Sequence, residues 1–167
     1  MKKNKKKPVS SAQDKNSLFL FYLSVIFGYS IGIPVAFSSI GNISFFSPYL
    51  SIIGFIISLS GLWIRWSAIR TLNQHFNYHI TFVEGHQLVE TGLYRIIRHP
   101  SYIGQTLIFI GCGLAFANWI TLLLFFFPHF SVILYRIHVE EKALAGYFKE
   151  KYKEYQKRTF RLIPWIY

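Results

Sequence analysis

Two long stretches of this sequence contain no charged residue. Residues 17–64 and 101–135 hold no Asp, Glu, Lys or Arg. Charged residues make up 15% of the 167-residue chain, against about a quarter in a soluble domain. A soluble protein with such uncharged runs would aggregate, and 52% of the residues are hydrophobic. The sequence therefore predicts a polytopic membrane protein and excludes a soluble nucleic-acid-binding protein, despite a net charge of +11.

The sequence also lacks the motifs of several common enzyme classes. With one cysteine, Cys112, no internal disulfide is possible, and its Gly-Cys-Gly step predicts a role in helix packing. No GxGxxG or Walker-type phosphate loop is present, and no motif supports a nucleophilic Ser or Cys triad. His75 and His79 are four residues apart, but no carboxylate or thiol lies near them in the sequence. We therefore predict no metal site.

The apolar residues form four segments that are candidates to cross a membrane. A hydrocarbon core of about 30 Å needs about 20 helical residues. The predicted spans are Leu18–Phe37, Pro48–Ile64, Tyr102–Ala117 and Ile120–Tyr135. Asn118-Trp119 alone separates the last two, which predicts an antiparallel helical hairpin. The first segment exceeds the apolar region of a signal peptide, about 7–15 residues, so we interpret it as a retained helix.

The distribution of positive charge predicts the orientation of these spans. All 18 Lys and Arg residues lie in residues 1–16, 65–100 and 136–167, and the other connectors are uncharged. By the positive-inside rule, the protein is expected to lie in the cell membrane with both termini in the cytoplasm. We divide the chain into a basic cytoplasmic tail, residues 1–16, that contacts anionic lipid, and a single membrane domain, residues 17–167.

Two further cytoplasmic elements are predicted. Phe76–Val83 alternates apolar and polar residues and precedes a Glu84-Gly85 turn, which favours a small hairpin with His86–Val89. Beyond the fourth span, the chain is expected to continue as an amphipathic helix to about Arg158, along the membrane surface or under the bundle. The predicted fold class is an all-α polytopic membrane protein with about four transmembrane helices, this C-terminal helix and the hairpin.

The His99-Pro100 step is the first candidate for a functional site. Proline favours the first position of a helix, so Arg98 and His99 would lie at the N-terminus of the third span. A helix N-terminus beside an arginine suits a carboxylate or a phosphate. Simple anchoring of this helix at lipid headgroups explains the same residues equally well.

The second candidate follows the fourth span. Arg136 and Glu140 are four residues apart, so they share one face of a helix. Glu140 and Glu141 are adjacent close to the membrane, where two like charges repel each other and lose solvation. The alternative interpretation is an ordinary ion pair at the membrane interface.

Both candidates lie within longer motifs. Residues 86–104, HQLVETGLYRIIRHPSYIG, resemble the H-x-L-V-x-x-G-x-Y and R-H-P-x-Y-x-G pattern of the isoprenylcysteine carboxyl methyltransferase family of membrane proteins. The tail from Arg136 to Ile163-Pro164 resembles the same family, so the resemblance covers residues 86–167. Three positions depart from the pattern: Lys149 replaces a glycine, Leu93 a proline, and Thr81 a glutamine.

The resemblance implies a methyltransferase that takes S-adenosylmethionine (SAM) from the cytosol and a lipophilic acceptor from the bilayer, with S-adenosylhomocysteine as product. It implies that Arg136 binds the acceptor carboxylate and that Arg136 and Glu140 are the catalytic residues. Arg98, at a helix N-terminus, suits the carboxylate of SAM. The other implied cofactor contacts are His86, Gln87, Leu88, Val89, Tyr94, His99, Pro100, Ser101, Tyr102 and Glu140.

Two other enzyme classes remain open. NADPH-dependent sterol reductases resemble the C-terminal pattern, but their tail usually reads Arg-Asp-Glu where this chain has Val139-Glu140-Glu141, and they have additional spans. A phospholipid N-methyltransferase would catalyse the same type of reaction on an amine. An ammonium acceptor must first lose a proton, so a base such as Glu141 would be essential, whereas a carboxylate needs only Arg136 to orient it.

Overall fold

A computed structural model describes residues 7–8, 11–73, 81–82 and 87–164. These residues form five helices, a 3-10 turn at Gly92–Arg95 and one pairing of two-residue strands. The helices are α1 (Ser11–Ala36), α2 (Ser47–Leu72), α3 (Pro100–Ala115), α4 (Trp119–Phe148) and α5 (Glu150–Lys157). The strands β1 (Lys7–Pro8) and β2 (Thr81–Phe82) pair antiparallel. The predicted all-α fold class is confirmed.

All four predicted spans are helical. Among the described residues, three helices are long and apolar enough to cross a membrane: Asp14–Ala36, Ser47–Leu72 and Trp119–Phe148. Helix α3 has 16 residues and is therefore about 24 Å long at a rise of 1.5 Å per residue, shorter than a hydrocarbon core of about 30 Å. The chain is a multi-pass membrane protein, and a full crossing by α3 stays a prediction.

Helices α2 and α3 pack through glycines. Gly54 and Gly61 of α2 are seven residues apart, as are Gly104 and Gly111 of α3. A Cβ atom added to Gly61 would lie 2.6 Å from the Gly104 carbonyl oxygen, and one added to Gly111 would lie 2.5 Å from that of Gly54. The two backbones therefore touch, which larger residues would prevent. Close backbone contact of this kind stabilises helix pairs in lipid, where the hydrophobic effect does not.

Helix α1 packs antiparallel on α4 through a row of polar contacts. The Thr121 hydroxyl donates to the Gly32 carbonyl at 3.1 Å, and Ser24 Oγ lies 3.5 Å from His129 Nδ1. The next polar contact on this side of α4 is Arg136, seven residues after His129. The row brings the N-terminal turn of α1 against the second candidate site.

The predicted tight turn between the third and fourth spans is confirmed, since three residues separate α3 from α4. Asn118 caps α4, because its side-chain oxygen accepts hydrogen bonds from the amides of Ile120 and Thr121, each at 3.0 Å. Its side-chain amide donates to the Ile40 carbonyl at 2.8 Å. The buried Asn118 side chain therefore also fixes the loop between α1 and α2.

The prediction of one continuous C-terminal helix is wrong. Helix α4 ends at Phe148, and Lys149 adopts φ 51° and ψ −123° before α5 begins. A positive φ favours glycine, the residue that the resembled family has at this position. The bend directs α5 so that Tyr152 and Tyr155 become buried, at 0% and 3% exposure.

Most of the predicted cytoplasmic hairpin lies outside the described residues. Strand β2 pairs with β1 from the N-terminal segment, and Gln87–Glu90 have no regular secondary structure. The described partner of β2 is therefore distant in sequence. The packing of the chain, and not a local turn, brings residues 7–8 and 81–82 together.

Candidate functional site

Residues from both sequence motifs meet where α3 begins and α4 nears its end. The Tyr102 hydroxyl donates a hydrogen bond to Glu140 Oε2 at 2.9 Å and accepts one from Arg136 Nε at 3.0 Å. His99 Nδ1 lies 3.9 Å from the same Glu140 oxygen. We call His99, Tyr102, Arg136 and Glu140 the α3–α4 cluster.

Local sequence explains why these side chains face one another. Pro100 is the first residue of α3, where its missing N–H costs no helical hydrogen bond. This places His99 at the N-cap with Tyr102 one turn further on, and their ring centroids are 5.7 Å apart. On α4, Arg136 and Glu140 are one turn apart on the same face. Each helix therefore contributes two neighbouring side chains to the cluster.

Glu140 is more accessible than His99 and Arg136. Its side chain is 32% exposed, whereas that of His99 is 3% exposed and that of Arg136 is 7% exposed. The Tyr102 hydroxyl thus contacts both a buried guanidinium and a more accessible carboxylate. The arrangement suits an anionic group beside Arg136 and a cationic group beside Glu140.

Glu141 lies in a second buried group of side chains, which shares His99 with the α3–α4 cluster. Its Oε1 is 2.9 Å from Arg98 Nε and 3.4 Å from His99 Nε2. Its Oε2 is 2.9 Å from Arg161 Nε. Because two guanidinium groups stabilise its negative charge, Glu141 is an ionised structural group. The two adjacent glutamates therefore both lie near His99 but differ in their other partners, which are Tyr102 for Glu140 and the two arginines for Glu141.

Arg98 joins the C-terminal segment to the start of α3. Its Nη1 donates to the carbonyl oxygens of Gln156, at 3.2 Å, and Thr159. Its backbone amide donates to the Phe160 carbonyl at 2.8 Å, and the Phe160 amide donates to the Ile96 carbonyl at 2.9 Å. The sequence predicts an anion-binding role for Arg98. In the structure, its guanidinium is hydrogen-bonded to Glu141 and to the carbonyl oxygens of Gln156 and Thr159.

Arg136 also contacts α1, which the sequence analysis did not anticipate. Its Nη1 donates to Ser17 Oγ at 2.9 Å and lies 3.8 Å from Asp14 Oδ1. Ser17 and Asp14 are 0% and 5% exposed. One signal was present in the sequence, since Asp14 is the only acidic residue among the first 83.

Arg65 is a second polar residue that the sequence analysis did not single out. Its Nη1 donates to Gln105 Oε1 at 2.7 Å and to Ser101 Oγ at 3.1 Å. The predicted site residue Ser101 therefore contacts α2. The available signal was the position of Arg65, which ends the uncharged stretch of residues 17–64.

The other predicted cofactor contacts lie before α3. Tyr94 is buried in the 3-10 turn, and its carbonyl accepts a hydrogen bond from the Tyr155 hydroxyl at 2.7 Å. Burial raises the pKa of the Tyr155 phenol above its usual value, so it remains a donor. Within the described part of the chain, the segment Gln87, Leu88 and Val89 forms no hydrogen bond with the α3–α4 cluster. His86 lies outside the described residues.

Two further reactive side chains, His129 and Cys112, lie in contacts between helices. His129 is buried and stacks on Phe109 with ring centroids 3.8 Å apart. Ser58 Oγ donates to Cys112 Sγ at 3.7 Å across the α2–α3 contact, in agreement with the predicted packing role. Within the described ranges, no three His, Cys, Asp or Glu side chains are grouped so as to hold a metal ion.

Comparisons with known proteins agree with the motifs. A family model described as phospholipid methyltransferase (PEMT) matches residues 49–151. This range includes α2 from Tyr49 onward and all of α3 and α4, and therefore the whole α3–α4 cluster. It excludes α1 and the two α1 residues that contact Arg136.

Three curated relatives are named protein-S-isoprenylcysteine O-methyltransferase. The Saccharomyces cerevisiae protein is 33% identical over 118 residues, which is 70% of this chain and 49% of the relative. The Xenopus laevis protein is 36% identical over 121 residues, 71% and 42% of the two chains. The Schizosaccharomyces pombe protein is 32% identical over 124 residues, 72% and 52%. The chain spans about half the length of these relatives.

A solved structure shares the fold. It is the eukaryotic intramembrane Ras methyltransferase ICMT, isoprenylcysteine carboxyl methyltransferase, and it superposes with a TM-score of 0.67 at 25% identity. The similarity covers 93% of this chain and 52% of that chain, so it includes most of α1. The family match, the relatives and this fold agree with the two motifs, and the chain therefore belongs to the phospholipid methyltransferase and isoprenylcysteine carboxyl methyltransferase family.

Proposed function

We propose that this protein is a SAM-dependent methyltransferase that methylates the carboxylate of a lipophilic acceptor resembling a prenylated cysteine. The observation that carries the proposal is the α3–α4 cluster, in which Tyr102 links Arg136 to Glu140. These are an anion-binding and a cation-binding group, each hydrogen-bonded to the same hydroxyl. Relatives named protein-S-isoprenylcysteine O-methyltransferases support this choice of acceptor.

The residues around Glu140 fit SAM. SAM supplies a methyl group on a positively charged sulfonium and also carries an ammonium group, and either charge suits the accessible Glu140 carboxylate. His99, Pro100, Ser101 and Tyr102 would line the cofactor side, together with Tyr94 and residues 86–89. Because the Arg98 guanidinium already contacts Glu141 and two carbonyls, we assign it the role of positioning His99 and the C-terminal segment.

Arg136 would hold the acceptor. A carboxylate is ionised at neutral pH, so it is a nucleophile without further activation. When Arg136 orients it, one carboxylate oxygen forms the new bond to the methyl carbon as the carbon–sulfur bond breaks, and the neutral sulfide leaves. The protein contributes orientation and the exclusion of water, which together lower the barrier substantially.

A carboxylate acceptor is favoured over an amine by the surroundings of Glu141. An ammonium acceptor must lose a proton before it can attack, and Glu141 is the base that the sequence suggests for that step. Arg98 and Arg161 both form ion pairs with Glu141 at 2.9 Å, which makes its carboxylate a poor proton acceptor. A carboxylate acceptor requires no such base.

The orientation of the chain is part of the proposal. With both termini in the cytoplasm, the α3–α4 cluster faces cytosolic SAM, and the basic residues 1–16 contact anionic lipid. The lipid tail of the acceptor would remain between the helices and the bilayer. The proposal treats residues 17–167 as one membrane domain.

Methyl transfer with purified protein tests the function. Labelled SAM is supplied with N-acetyl-S-farnesylcysteine, with its carboxamide, or with phosphatidylethanolamine, and the expected product is the methyl ester of the acid alone. Methylation of the amine lipid but not of the acid would overturn the proposal. Competition of NADPH against labelled SAM tests the reductase alternative. Mass spectrometry of lipids from cells with and without the gene then identifies the natural acceptor.

A further inference from the structure

The first two turns of α1 cover the guanidinium proposed to hold the acceptor. Ser17 Oγ accepts a hydrogen bond from Arg136 Nη1 at 2.9 Å and donates one to the Asp14 carbonyl at 2.9 Å. Asp14 Oδ1 lies 3.8 Å from the same nitrogen. Both α1 residues are buried. Both precede residue 49, where the family match begins, and neither belongs to the two sequence motifs.

Asp14 forms a looser ion pair than the structural pair nearby. Charge-assisted hydrogen bonds between nitrogen and oxygen usually measure about 2.7–2.9 Å, and Arg98 and Glu141 lie 2.9 Å apart. The Asp14–Arg136 separation of 3.8 Å is clearly longer. A carboxylate that makes shorter contacts with Arg136 can therefore compete with Asp14 for this guanidinium.

An acceptor carboxylate and Asp14 would compete for the same part of Arg136. The guanidinium Nε already donates to the Tyr102 hydroxyl at 3.0 Å. A bidentate contact then has to use the edge that includes Nη1, which is the edge that Asp14 faces. Two carboxylates at this edge would repel each other in a region from which water is largely excluded.

We propose that Asp14 is the resident counter-ion of Arg136 in the acceptor site, an inference that rests on the proposed function. Its carboxylate holds the position at Arg136 that the acceptor carboxylate takes, and it is displaced when the acid binds. A neutral lipid cannot displace it, because it offers Arg136 no charge in return. The first turn of α1 therefore weakens the binding of an acid and leaves the binding of a neutral lipid unchanged.

Binding measurements on the full chain in detergent test this inference. The probes are N-acetyl-S-farnesylcysteine and its carboxamide, titrated calorimetrically with S-adenosylhomocysteine present so that no turnover occurs. The variant Asp14→Asn removes the competing charge at nearly constant size. Asp14→Glu keeps the charge, and Glu154→Gln removes a charge from an exposed position on α5 as a matched control.

Asp14→Asn is expected to bind the acid about tenfold more tightly, the change produced by about 1.4 kcal/mol of relieved repulsion, and to bind the carboxamide as wild type does. Asp14→Glu and Glu154→Gln should keep wild-type affinity for the acid. Unchanged or weaker binding of the acid by Asp14→Asn, or equal tightening for both probes, would overturn the inference. Lack of acid binding by every variant would do so as well.

Methyl transfer is measured separately, so that the two ideas can fail independently. Tighter acid binding by Asp14→Asn without methyl transfer in any variant would support the role of Asp14 and overturn the proposed function. Methyl transfer with unchanged acid binding would do the reverse. If Asp14→Asn does not fold, Asp14→Ser tests the same loss of charge with a smaller side chain.

Discussion

Tyr102 donates a hydrogen bond to Glu140 across 2.9 Å, and this contact joins the first turn of α3 to the end of α4. The two residues are 38 positions apart and belong to different sequence motifs. Because the same hydroxyl accepts a hydrogen bond from Arg136, it holds the two proposed catalytic side chains in a defined relation. The hydroxyl, more than the ring, is therefore the critical part of Tyr102.

We expect Tyr102→Phe to weaken SAM binding about tenfold or more, because a hydrogen bond to a charged group contributes about 1.5–3 kcal/mol. The fold should survive, since the ring is retained. Calorimetric titration of detergent-purified protein with SAM measures the effect. Tyr135→Phe, at an exposed tyrosine of α4, is the control. Equal SAM affinity in both variants would mean that Tyr102 does not position Glu140 for the cofactor.

Arg136→Lys should reduce methyl transfer to a small fraction of the wild-type rate and leave SAM affinity within a few-fold. A lysine keeps the charge but cannot reproduce the two-pronged contact with a carboxylate. Steady-state rates and SAM titrations on the same preparation check both parts. Turnover close to wild type with the acid acceptor would remove the support for a carboxylate held by Arg136.

Arg136→Ala requires a compensating change, because it leaves the buried Asp14 without its cation at a cost of about 3–5 kcal/mol. The double variant Asp14→Asn/Arg136→Ala should therefore be more thermally stable than Arg136→Ala alone, and equally inactive. Thermal unfolding in detergent gives the comparison. If the second change restores no stability, the ion pair does not contribute to the fold.

Glu140→Gln and Glu141→Gln should have opposite effects. Glu140 is partly exposed on the side that we propose for the cofactor, so its amide variant should lose SAM binding with little change in unfolding temperature. Glu141 lies between Arg98 and Arg161, so its amide variant should be destabilised, because two cations lose a buried counter-charge. Labelled SAM binding and unfolding temperature are measured for both. The reverse pattern would exchange the roles assigned to the two glutamates.

Lys149→Gly should stabilise the protein by about 1 kcal/mol, since glycine adopts a positive φ without the steric cost that a side chain incurs. Lys149 has φ 51° at the bend between α4 and α5. Lys149→Ala is the matched control and should give no such gain, because alanine retains a Cβ atom. Unfolding temperatures of the three proteins decide the matter.

The orientation is tested with reporter fusions. A reporter after Ser44 should lie outside the cytoplasm, and reporters after Gly85 and Tyr167 should lie inside, because every Lys and Arg falls on the side predicted to be cytoplasmic. Accessibility to a membrane-impermeant label gives the readout in whole cells. A reporter after Gly85 that reads as outside would separate the α3–α4 cluster from cytosolic SAM.

Local features of the sequence determined the helical segments and most candidate residues. Uncharged runs long enough to cross a membrane predict the spans without knowledge of the tertiary structure, since the hydrocarbon core does not solvate charged groups. Pro100 marks the start of α3 because proline lacks the N–H that a helix interior requires. The spacing of Arg136 and Glu140 places both on one helix face in any packing arrangement.

Tertiary structure decided which partners these residues have. Adjacent glutamates point in different directions on a helix, so the packing of α3 and the C-terminal segment determined that Glu140 faces Tyr102 and Glu141 faces Arg98. Ser17 reaches Arg136 across 119 residues of sequence. An apolar helix such as α1 carries little local information about its neighbour, because lipid and protein interiors are similarly apolar. The contacts of Asp14 and Ser17 with Arg136 therefore followed only from the close approach of α1 to α4.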